Sequence, residues 1–420
     1  MKNGKSVIRQ PITLACALIS LQAWSQTAAP PDAAASAPDA ESRVRLETVI
    51  VSAQRRLEAL QDVPVAVKAF SAKQIEATGI KSTQDFINLT PNMSFDNSQD
   101  YANSFVALRG VTQISNADSP VAVVIDGVPQ NNQKQLKMSL FDIERIEVLK
   151  GPQGALYGRN AIGGAINIET KAPGNKFEGF VGATFGSGNL REVVGAVNGV
   201  LREDVALFRI VGQSKHSDGD LHNGYLQRDI DGIDHDNSLR ARLLLRPSSA
   251  LQLDLRASVN DYQAAANWDS IVRSGKPGDI VMPMESMYGK SAGRFTDFSA
   301  KLEADLGIGT LTSITAHSKF NTLHRGDIDF SNPRDLPNGF LDLGFQAGQY
   351  QAMRIRLASQ ELRLASPASL PLRWIGGFYY LDTQRGVETR VYQDTTASSR
   401  RLCSPSSRPS LPAAIPSCTG

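Results

Sequence analysis

From Phe177 onward, short runs alternate apolar and polar side chains and are separated by turns. The clearest runs are 239–246, 251–260 and 298–306, where leucine, alanine, valine or phenylalanine recurs at every second position between charged or polar residues. Because successive side chains of a β-strand point to opposite faces, this period of two predicts strands with one apolar and one polar face. Such strands form either an antiparallel sheet with one wet face or a membrane barrel with lipid outside.

Turn signals divide this region into nine predicted strands: 176–187, 190–201, 205–216, 236–246, 251–262, 294–306, 309–322, 350–365 and 372–383. The connections 202–204, 247–250, 307–308 and 366–371 are short, whereas 217–235, 263–293 and 323–349 are long. After the first hairpin, short and long connections alternate, as periplasmic turns and external loops do in outer-membrane barrels. In 355–364 the apolar phase slips, which predicts a bulge near Ala358–Gln360.

The preceding region, 62–170, has a mixed pattern that predicts a compact α+β unit. Capping boxes at Ser71 and Ser82 predict two short helices, stopped by Gly79 and Pro91. The predicted strands are 63–67, a buried strand with an Asp-Gly turn within 121–129, 143–150 and 165–170.

A loop with five glycines joins the last two of these strands. A phosphate-binding loop would end in Gly-Lys-Ser/Thr and open a helix. Here Gly158 is followed by Arg159 and Asn160, and a strand comes next. The pattern therefore argues against nucleotide binding, and the glycines indicate positive φ angles and close backbone approach.

Residues 1–25 have the pattern of a secretory signal peptide, with Lys2, Lys5 and Arg9 ahead of an apolar segment that ends near Ser25. A lipoprotein signal at Cys16 is the alternative, but the residues before it fit poorly. Residues 26–45, rich in Ala, Pro, Asp and Ser, are predicted to be a disordered linker. No later apolar run reaches 18 residues, so insertion into a membrane would use β-strands.

Two cysteines remain after the predicted cleavage, Cys403 and Cys418. In an oxidising compartment a local disulfide is expected, and two unpaired thiols are the alternative. The net charge of +2 over 420 residues offers no basic footprint for nucleic acid. None of the five histidines stands at metal-ligand spacing, and no nucleophile–base pair is visible, so no metal, no catalytic residue and no enzyme is predicted.

The segment 143–172, IERIEVLKGPQGALYGRNAIGGAINIETKA, resembles the signature of the plug domain of TonB-dependent outer-membrane receptors. The segments VALRG at 106–110, VAVVIDGVP at 121–129 and ETVIV at 47–51 resemble further motifs of the family, in the family's order. The resemblance implies an α+β plug domain followed by a partial antiparallel transmembrane β-barrel. The predicted organisation is a signal peptide (1–25), a linker (26–45), a TonB box (46–56), a plug (57–172) and an incomplete barrel (173–420).

The resemblance also implies roles for individual residues. An extended segment that follows a disordered leader suits β-augmentation by a partner's sheet edge, and TonB is the implied partner. The TonB-binding residues are then Leu46, Glu47, Thr48, Val49, Ile50, Val51, Ser52 and Ala53. Candidate plug–barrel contacts are Arg109, Glu144, Arg145, Glu147, Lys150 and Arg159, with ordinary solvated charges as the alternative. Candidate ligand contacts at the outward apex are Tyr101, Phe105 and Gln133.

The implied function is active uptake of a scarce ligand, such as a ferric siderophore, across the outer membrane of a Gram-negative bacterium. No cofactor is expected, since iron would enter only within the transported complex. The implied partners are TonB, the ligand and outer-membrane lipid. Cobalamin, another metal complex or an oligosaccharide are alternative ligands. Nine strands cannot close an antiparallel barrel, and the family has about 22. A truncated, non-functional fragment is therefore one competing hypothesis. A passive porin-like channel is the other, and the plug and TonB-box motifs argue against it.

Overall fold

The computed structural model describes residues 49–52, 55–56, 58–96, 101–102, 105–113, 118–130, 132–136, 140–266, 276, 285–334 and 347–393. The predicted signal peptide, linker and both remaining cysteines lie outside these ranges. Within them, a small α+β domain is followed by a large antiparallel sheet, so the predicted fold class is confirmed. No helix in the described ranges is long and apolar enough to cross a membrane.

In its described residues, the α+β domain, called the plug below, contains nine short strands and three α-helices. The strands are β1 (Ile50–Val51), β2 (Glu58–Ala59), β3 (Val67–Ser71), β4 (Met93–Asp96), β5 (Phe105–Leu108), β6 (Val121–Ile125), β7 (Val128–Gln130), β8 (Ile143–Lys150) and β9 (Gly164–Thr170). The helices are α1 (Ala72–Thr78), α2 (Thr83–Asn88) and α3 (Gly154–Tyr157). A five-stranded sheet with the order β3-β8-β9-β6-β7 forms the centre of the plug, and only the β6–β9 pair is parallel.

Local sequence signals fix the ends of the helices as predicted. Ser71 and Ser82 each complete a reciprocal capping box, with Gln74 and Asp85 respectively. Gly79 ends α1 at φ 70°, a left-handed conformation that glycine adopts without strain. The strand predicted at 63–67 is wrong, because β3 begins only at Val67. Pro64 has no backbone N–H to donate to a ladder, and the residues directly before the predicted strand, Leu60–Asp62, form a 3-10 helix.

Two apolar clusters cover the two faces of the plug sheet. One contains Phe70 and Phe86 with the inward side chains of β8 and β9, and the other contains Val51, Leu149 and Tyr157. Gly164 lies where β9 starts, at φ 153°. A Cβ atom there would stand 2.2 Å from the Leu149 carbonyl oxygen, so only glycine lets β8 and β9 approach this closely.

The second part is a nine-stranded antiparallel sheet, called the strand wall below, in which neighbours in sequence are neighbours in space. A two-stranded hairpin, β13 (His222–Asn223) and β14 (Arg228–Asp229), interrupts the series. The wall strands are β10 (Glu178–Gly186), β11 (Leu190–Arg202), β12 (Ala206–Ser217), β15 (Ile233–Ser248), β16 (Leu251–Ala264), β17 (Lys290–Asp305), β18 (Thr310–Asp327), β19 (Ala347–Ala365) and β20 (Ile375–Gln393). All nine predicted strands are present, and β20 extends ten residues beyond the predicted end.

The bulge predicted near Ala358–Gln360 is wrong. The ladders of β19 with β18 and with β20 run without a register shift through these residues. The apolar side chains change face instead: Met353, Ile355 and Leu357 are buried on one face, whereas Leu362 is exposed on the other. An apolar cluster around Phe320 on the plug side of the wall accounts for this change.

Candidate functional site

The candidate site is the boundary between the plug and the strand wall, together with the strand that leads into the plug. Arginines from three wall strands point at the plug and bind it. Arg209 on β12 donates to Asp142 through two nitrogens, with Nε 2.7 Å from Oδ2, and both side chains are buried. Asp142 stands directly before β8 at φ 59°, a backbone conformation that aspartate tolerates better than most residues.

A second contact centres on the Asp-Gly turn between β6 and β7. Arg256 on β16 donates from Nη1 to the Asp126 carbonyl oxygen at 2.8 Å and lies 3.2 Å from its carboxylate. Asp254 lies 2.6 Å from Arg256 and 2.8 Å from Arg242, which in turn donates to the Thr170 carbonyl oxygen at 2.9 Å. These partly buried, mutually bridged charges fix the plug to the middle of the wall.

A cavity of about 170 Å³ lies between the β6–β7 hairpin and strands β12 and β15–β18. The Arg240 guanidinium lines it, with its carbon 4.6 Å from the centre of the Phe141 ring, and donates from Nη2 to the Phe141 carbonyl oxygen. Its Nη1 atom is buried without a hydrogen-bond partner in the described ranges. The plug is thus fixed to the wall at discrete points, and space remains between them.

Of the predicted TonB box, 46–56, the structure describes residues 49–52, 55 and 56. The sequence suggested a strand without a nearby partner, but β1 pairs with β2 over two residues. Val51 is fully buried in the plug's second apolar cluster. The Leu60 backbone N–H also donates to the Val49 carbonyl oxygen at 2.9 Å, and Arg55 Nε donates to the Leu156 carbonyl oxygen at 3.3 Å, so the segment is docked on the plug.

Glu147 holds the end of this segment. Its Oε1 accepts from the Ser52 backbone N–H at 2.7 Å and from Arg145 Nε at 2.7 Å. Asn167 donates to Ser52 Oγ at 2.8 Å and to Glu147 Oε2 at 3.2 Å. The Glu147 side chain is fully buried, so these donors replace the water that an ionised carboxylate requires.

The residues just after β1 contact a short turn of the wall. Arg56 donates to the carbonyl oxygens of Ser366 and Trp374, which flank the turn between β19 and β20. Glu58 lies 3.2 Å from Arg373 in the same turn. The leading strand and the short turns therefore lie at the same end of the wall.

The six charged residues proposed as plug–barrel contacts lie mostly in contacts within the plug. Arg145 and Glu147 bind each other, Lys150 donates to the Pro91 carbonyl oxygen at 2.9 Å, and Arg109 packs beside Gly151. Burial and the nearby Arg109 and Lys68 lower the pKa of Lys150.

Glu144 is exposed, and Arg159 shares Asp118 with Arg385 of β20, at 2.9 and 2.8 Å. The sequence reasoning missed Asp126, Asp142 and the inward arginines of β12, β15 and β16. Two features of the sequence could have indicated these contacts: the alternating arginines at 240 and 242, and the Asp-Gly turn at 126–127.

At the opposite end of the plug, Tyr101 donates to Asp236 Oδ2 of β15 at 2.7 Å. Its ring begins a row with Tyr262, Phe295 and Phe320, whose consecutive centroids are 5.6, 6.0 and 5.4 Å apart. Burial, followed by the Asp236 carboxylate, raises the pKa of Tyr101 well above its usual value. Phe105 is partly buried at the start of β5, and only the backbone of Gln133 is described. Their proposed contact with a ligand stays a prediction.

A domain fixed against the inner face of a β-strand wall defines a class of protein, the plugged β-barrels. Comparison with known proteins identifies the plug itself: residues 59–165 match the model of the TonB-dependent receptor plug domain. The chain thus contains a TonB-dependent receptor plug domain, and the strand wall that follows it matches part of the barrel in the fold of such receptors.

Three curated relatives support this assignment. The chain is 28% identical over 160 residues to a pesticin receptor of Yersinia enterocolitica, covering 38% of this chain and 24% of that protein. It is 27% identical over 238 residues to an iron-regulated outer membrane virulence protein of Vibrio cholerae, covering 52% and 34%. It is 34% identical over 131 residues to a vitamin B12 transporter of Vibrio vulnificus, covering 30% and 20%. The matches span about a third or less of each relative.

The fold is similar to that of the ferric yersiniabactin uptake receptor FyuA of Yersinia pestis, with a TM-score of 0.69 and 20% identity. The similarity covers 79% of this chain and 50% of the other. The names of these proteins describe receptors, a transporter and an outer membrane protein, which agrees with the predicted outer-membrane location and with the prediction that the protein is not an enzyme. In the described residues, no group of three or more metal-ligating side chains could hold an ion.

Proposed function

We propose that the protein takes part in TonB-dependent active uptake across the outer membrane, with a ferric siderophore as the favoured ligand. The observation that carries the proposal is the docking of the leading strand. β1 is held by a two-residue ladder, one buried valine and the Ser52–Glu147 hydrogen bond, at the end of the wall where the short turns lie. A strand with so short a ladder leaves most of its backbone groups available to the sheet edge of a partner.

The contacts between plug and wall favour a closed path that must be opened, and they argue against a passive open channel. Buried or bridged charges hold the plug at Asp142 and Asp126, so passage requires work to displace part of it. An inner-membrane energy source that pulls on β1 would supply this work. A passive porin-like channel needs neither the docked strand nor these contacts.

The proposed class of ligand is inferred from the relatives and not from the candidate ligand contacts at the outward apex of the plug. A receptor for ferric yersiniabactin and an iron-regulated protein favour an iron complex, whereas the vitamin B12 transporter favours cobalamin as the alternative. The partly buried Tyr101 and the row of rings behind it would give an aromatic ligand a surface on which to stack.

Uptake of radiolabelled ferric siderophores and of cobalamin, by cells expressing the full gene with or without TonB, tests the proposal. We expect accumulation of one ligand that is lost without TonB and in an Ile50→Pro variant, because proline removes a donor from the added strand. An Ile50→Ala variant is the matched control, since this side chain is exposed. Uptake that persists without TonB would contradict the proposal in favour of a passive channel.

A further inference from the structure

The wall side of the cavity between plug and wall carries a regular row of polar side chains. Strand register places Arg240 on β15, Ser258 on β16 and Asp297 on β17 directly opposite one another. Directly opposed residues of an antiparallel sheet share a face, so all three side chains lie on the plug side, where Arg240 contacts Phe141. Neighbouring strands are about 4.8 Å apart, which separates the backbones of Arg240 and Asp297 by about 10 Å. The row therefore has a cation at one end and a carboxylate at the other.

Arg240 is the arginine of this cavity that lacks a counter-charge. The other arginines in the lining are each paired with a carboxylate: Arg209 with Asp142, and Arg242 and Arg256 with Asp254. Arg240 forms no ion pair within the described ranges, and its partners there are a carbonyl oxygen and an aromatic ring. One of its donors, Nη1, is unused among the same residues. Because a buried charge without a counter-charge is strongly unfavourable, this position favours an anion.

The remaining lining limits the size and polarity of a ligand. Ile125 and Val128 of the plug, with Val211 and Phe295 of the wall, contribute apolar surface. An apolar cavity of about 150 Å³ holds one molecule of benzene, so the volume of about 170 Å³ here admits one six-membered ring with a small substituent. A ferric siderophore or cobalamin exceeds this volume. Apolar walls with a few convergent polar groups are the usual composition of a small-molecule site.

The distribution of charge selects a ligand with a single negative group. A carboxylate forms charge-assisted hydrogen bonds with a guanidinium, and Arg240 offers that group to the cavity. Lys134 of the plug is buried and also lines the cavity, which adds positive potential. At the other end, the Asp297 carboxylate accepts from Ser258 Oγ at 3.4 Å and repels a second negative charge. A monocarboxylate therefore fits, whereas a dicarboxylate does not.

We propose that this cavity binds a small organic acid with one carboxylate and an apolar body the size of one ring. The carboxylate lies beside the Arg240 guanidinium and neutralises it, and the body lies against Ile125, Val128 and Phe295. The bound acid contacts plug and wall together, so it stabilises the plugged state. The site lies at mid-height of the wall and does not depend on the proposed uptake.

The test measures the affinity of the protein, expressed from the full gene and purified in detergent, for benzoate and for benzamide by saturation-transfer NMR. Benzamide has nearly the same shape without the charge and should bind more weakly. Hydrogen bonds to charged groups correspond to about a ten- to hundredfold change in affinity, so Arg240→Gln should weaken benzoate binding by that factor. Its affinity for benzamide should stay the same. Arg246→Gln, the same substitution at an exposed position of β15, is the matched control and should bind both compounds as the unaltered protein does.

Two further variants keep the proposal testable if Arg240→Gln loosens the plug. Val211→Phe leaves the arginine in place and fills part of the cavity, so it should lose benzoate binding. Asp297→Asn removes the charge at the far end and should tighten it. The urea unfolding midpoint of each variant checks that plug and wall remain assembled.

Equal affinity of the unaltered protein for benzoate and benzamide would overturn the proposal, because the charge of the ligand would then play no part. Absence of saturable benzoate binding would also overturn it, since the cavity would then hold water alone. Both measurements use the resting protein without TonB. A failure here is therefore distinct from a failure of the proposed uptake.

Discussion

Replacing Glu147 with glutamine is expected to loosen the leading strand without unfolding the plug. Glutamine keeps the shape of the side chain but loses the charge that now accepts from Ser52 N–H, Arg145 and Asn167. A hydrogen bond to a charged group contributes about 1.5–3 kcal/mol, and every 1.4 kcal/mol is a factor of ten. The open state of the strand should therefore become roughly ten- to a hundredfold more populated.

Hydrogen–deuterium exchange of peptides that cover Ser52 measures this directly, because amide exchange there requires the strand to open. Exchange should accelerate by the same factor, while β8 and β9 remain protected. The apparent affinity for a TonB fragment should rise by the same factor, because the fragment binds only the open state and its apparent affinity is proportional to the population of that state.

The control is Glu144→Gln in the same strand, where the side chain is exposed and the same loss of charge should leave exchange at Ser52 unchanged. Unaltered exchange at Ser52 in Glu147→Gln would refute the reasoning, because the buried carboxylate would then contribute nothing to docking. Faster exchange throughout the plug would refute it differently, by showing that Glu147 holds the fold and not the strand.

Three further predictions test the plug. Asp142→Asn leaves the buried Arg209 without its counter-charge and should destabilise the plug–wall assembly by about 3–5 kcal/mol. The shift of the urea unfolding midpoint measures this change. A shift as small as that of the exposed control Arg246→Gln would contradict the prediction. Gly164→Ala places a methyl group 2.2 Å from the Leu149 carbonyl oxygen and should expose the plug to protease, whereas Gly174→Ala, with open space around it, should not. Because the pKa of Tyr101 is raised above its ordinary 10, the protonated ring is favoured in the folded state; its contribution is complete below pH 10 and is lost as pH rises through the raised value. The difference in tyrosinate absorbance between the unaltered protein and Tyr101→Phe should thus appear only well above pH 10. A difference that appears near pH 10 would show that Tyr101 is not buried.

The sequence predicted those helix ends and strands that depend on residues close together in the chain. The capping boxes at Ser71 and Ser82, the end of α1 at Gly79 and the nine wall strands each follow from residues a few positions apart, and all are present. The pairing of β1 with β2 was missed, although only six residues separate them, because a two-residue ladder leaves no periodic signal.

Contacts between distant residues could not be predicted in the same way. Arg209 and Asp142 are 67 positions apart, and nothing in a single sequence pairs one inward arginine with one aspartate. The change of face in β19 was visible as a slip of the apolar phase. A slip has two physical causes, an inserted residue or an exchange of environments, and the pattern alone cannot separate them. The regular ladder with β18 and β20 identifies the second.

If the plug is displaced as proposed, the distribution of contacts indicates where that displacement begins. At mid-height, Asp142 and Asp126 are bound by buried or bridged arginines, and breaking one such buried pair costs about 3–5 kcal/mol. At the short-turn end, β1 is held by two ladder positions and by contacts at Ser52, while Arg56 reaches a partly exposed turn. A pull applied to the leading strand therefore meets its weakest attachment first, and the mid-height pairs resist until that attachment is lost. We expect the plug to yield from β1 inward in separate steps, so force–extension traces on the reconstituted receptor should show a small early event before a larger one, and Asp142→Asn should lower only the second.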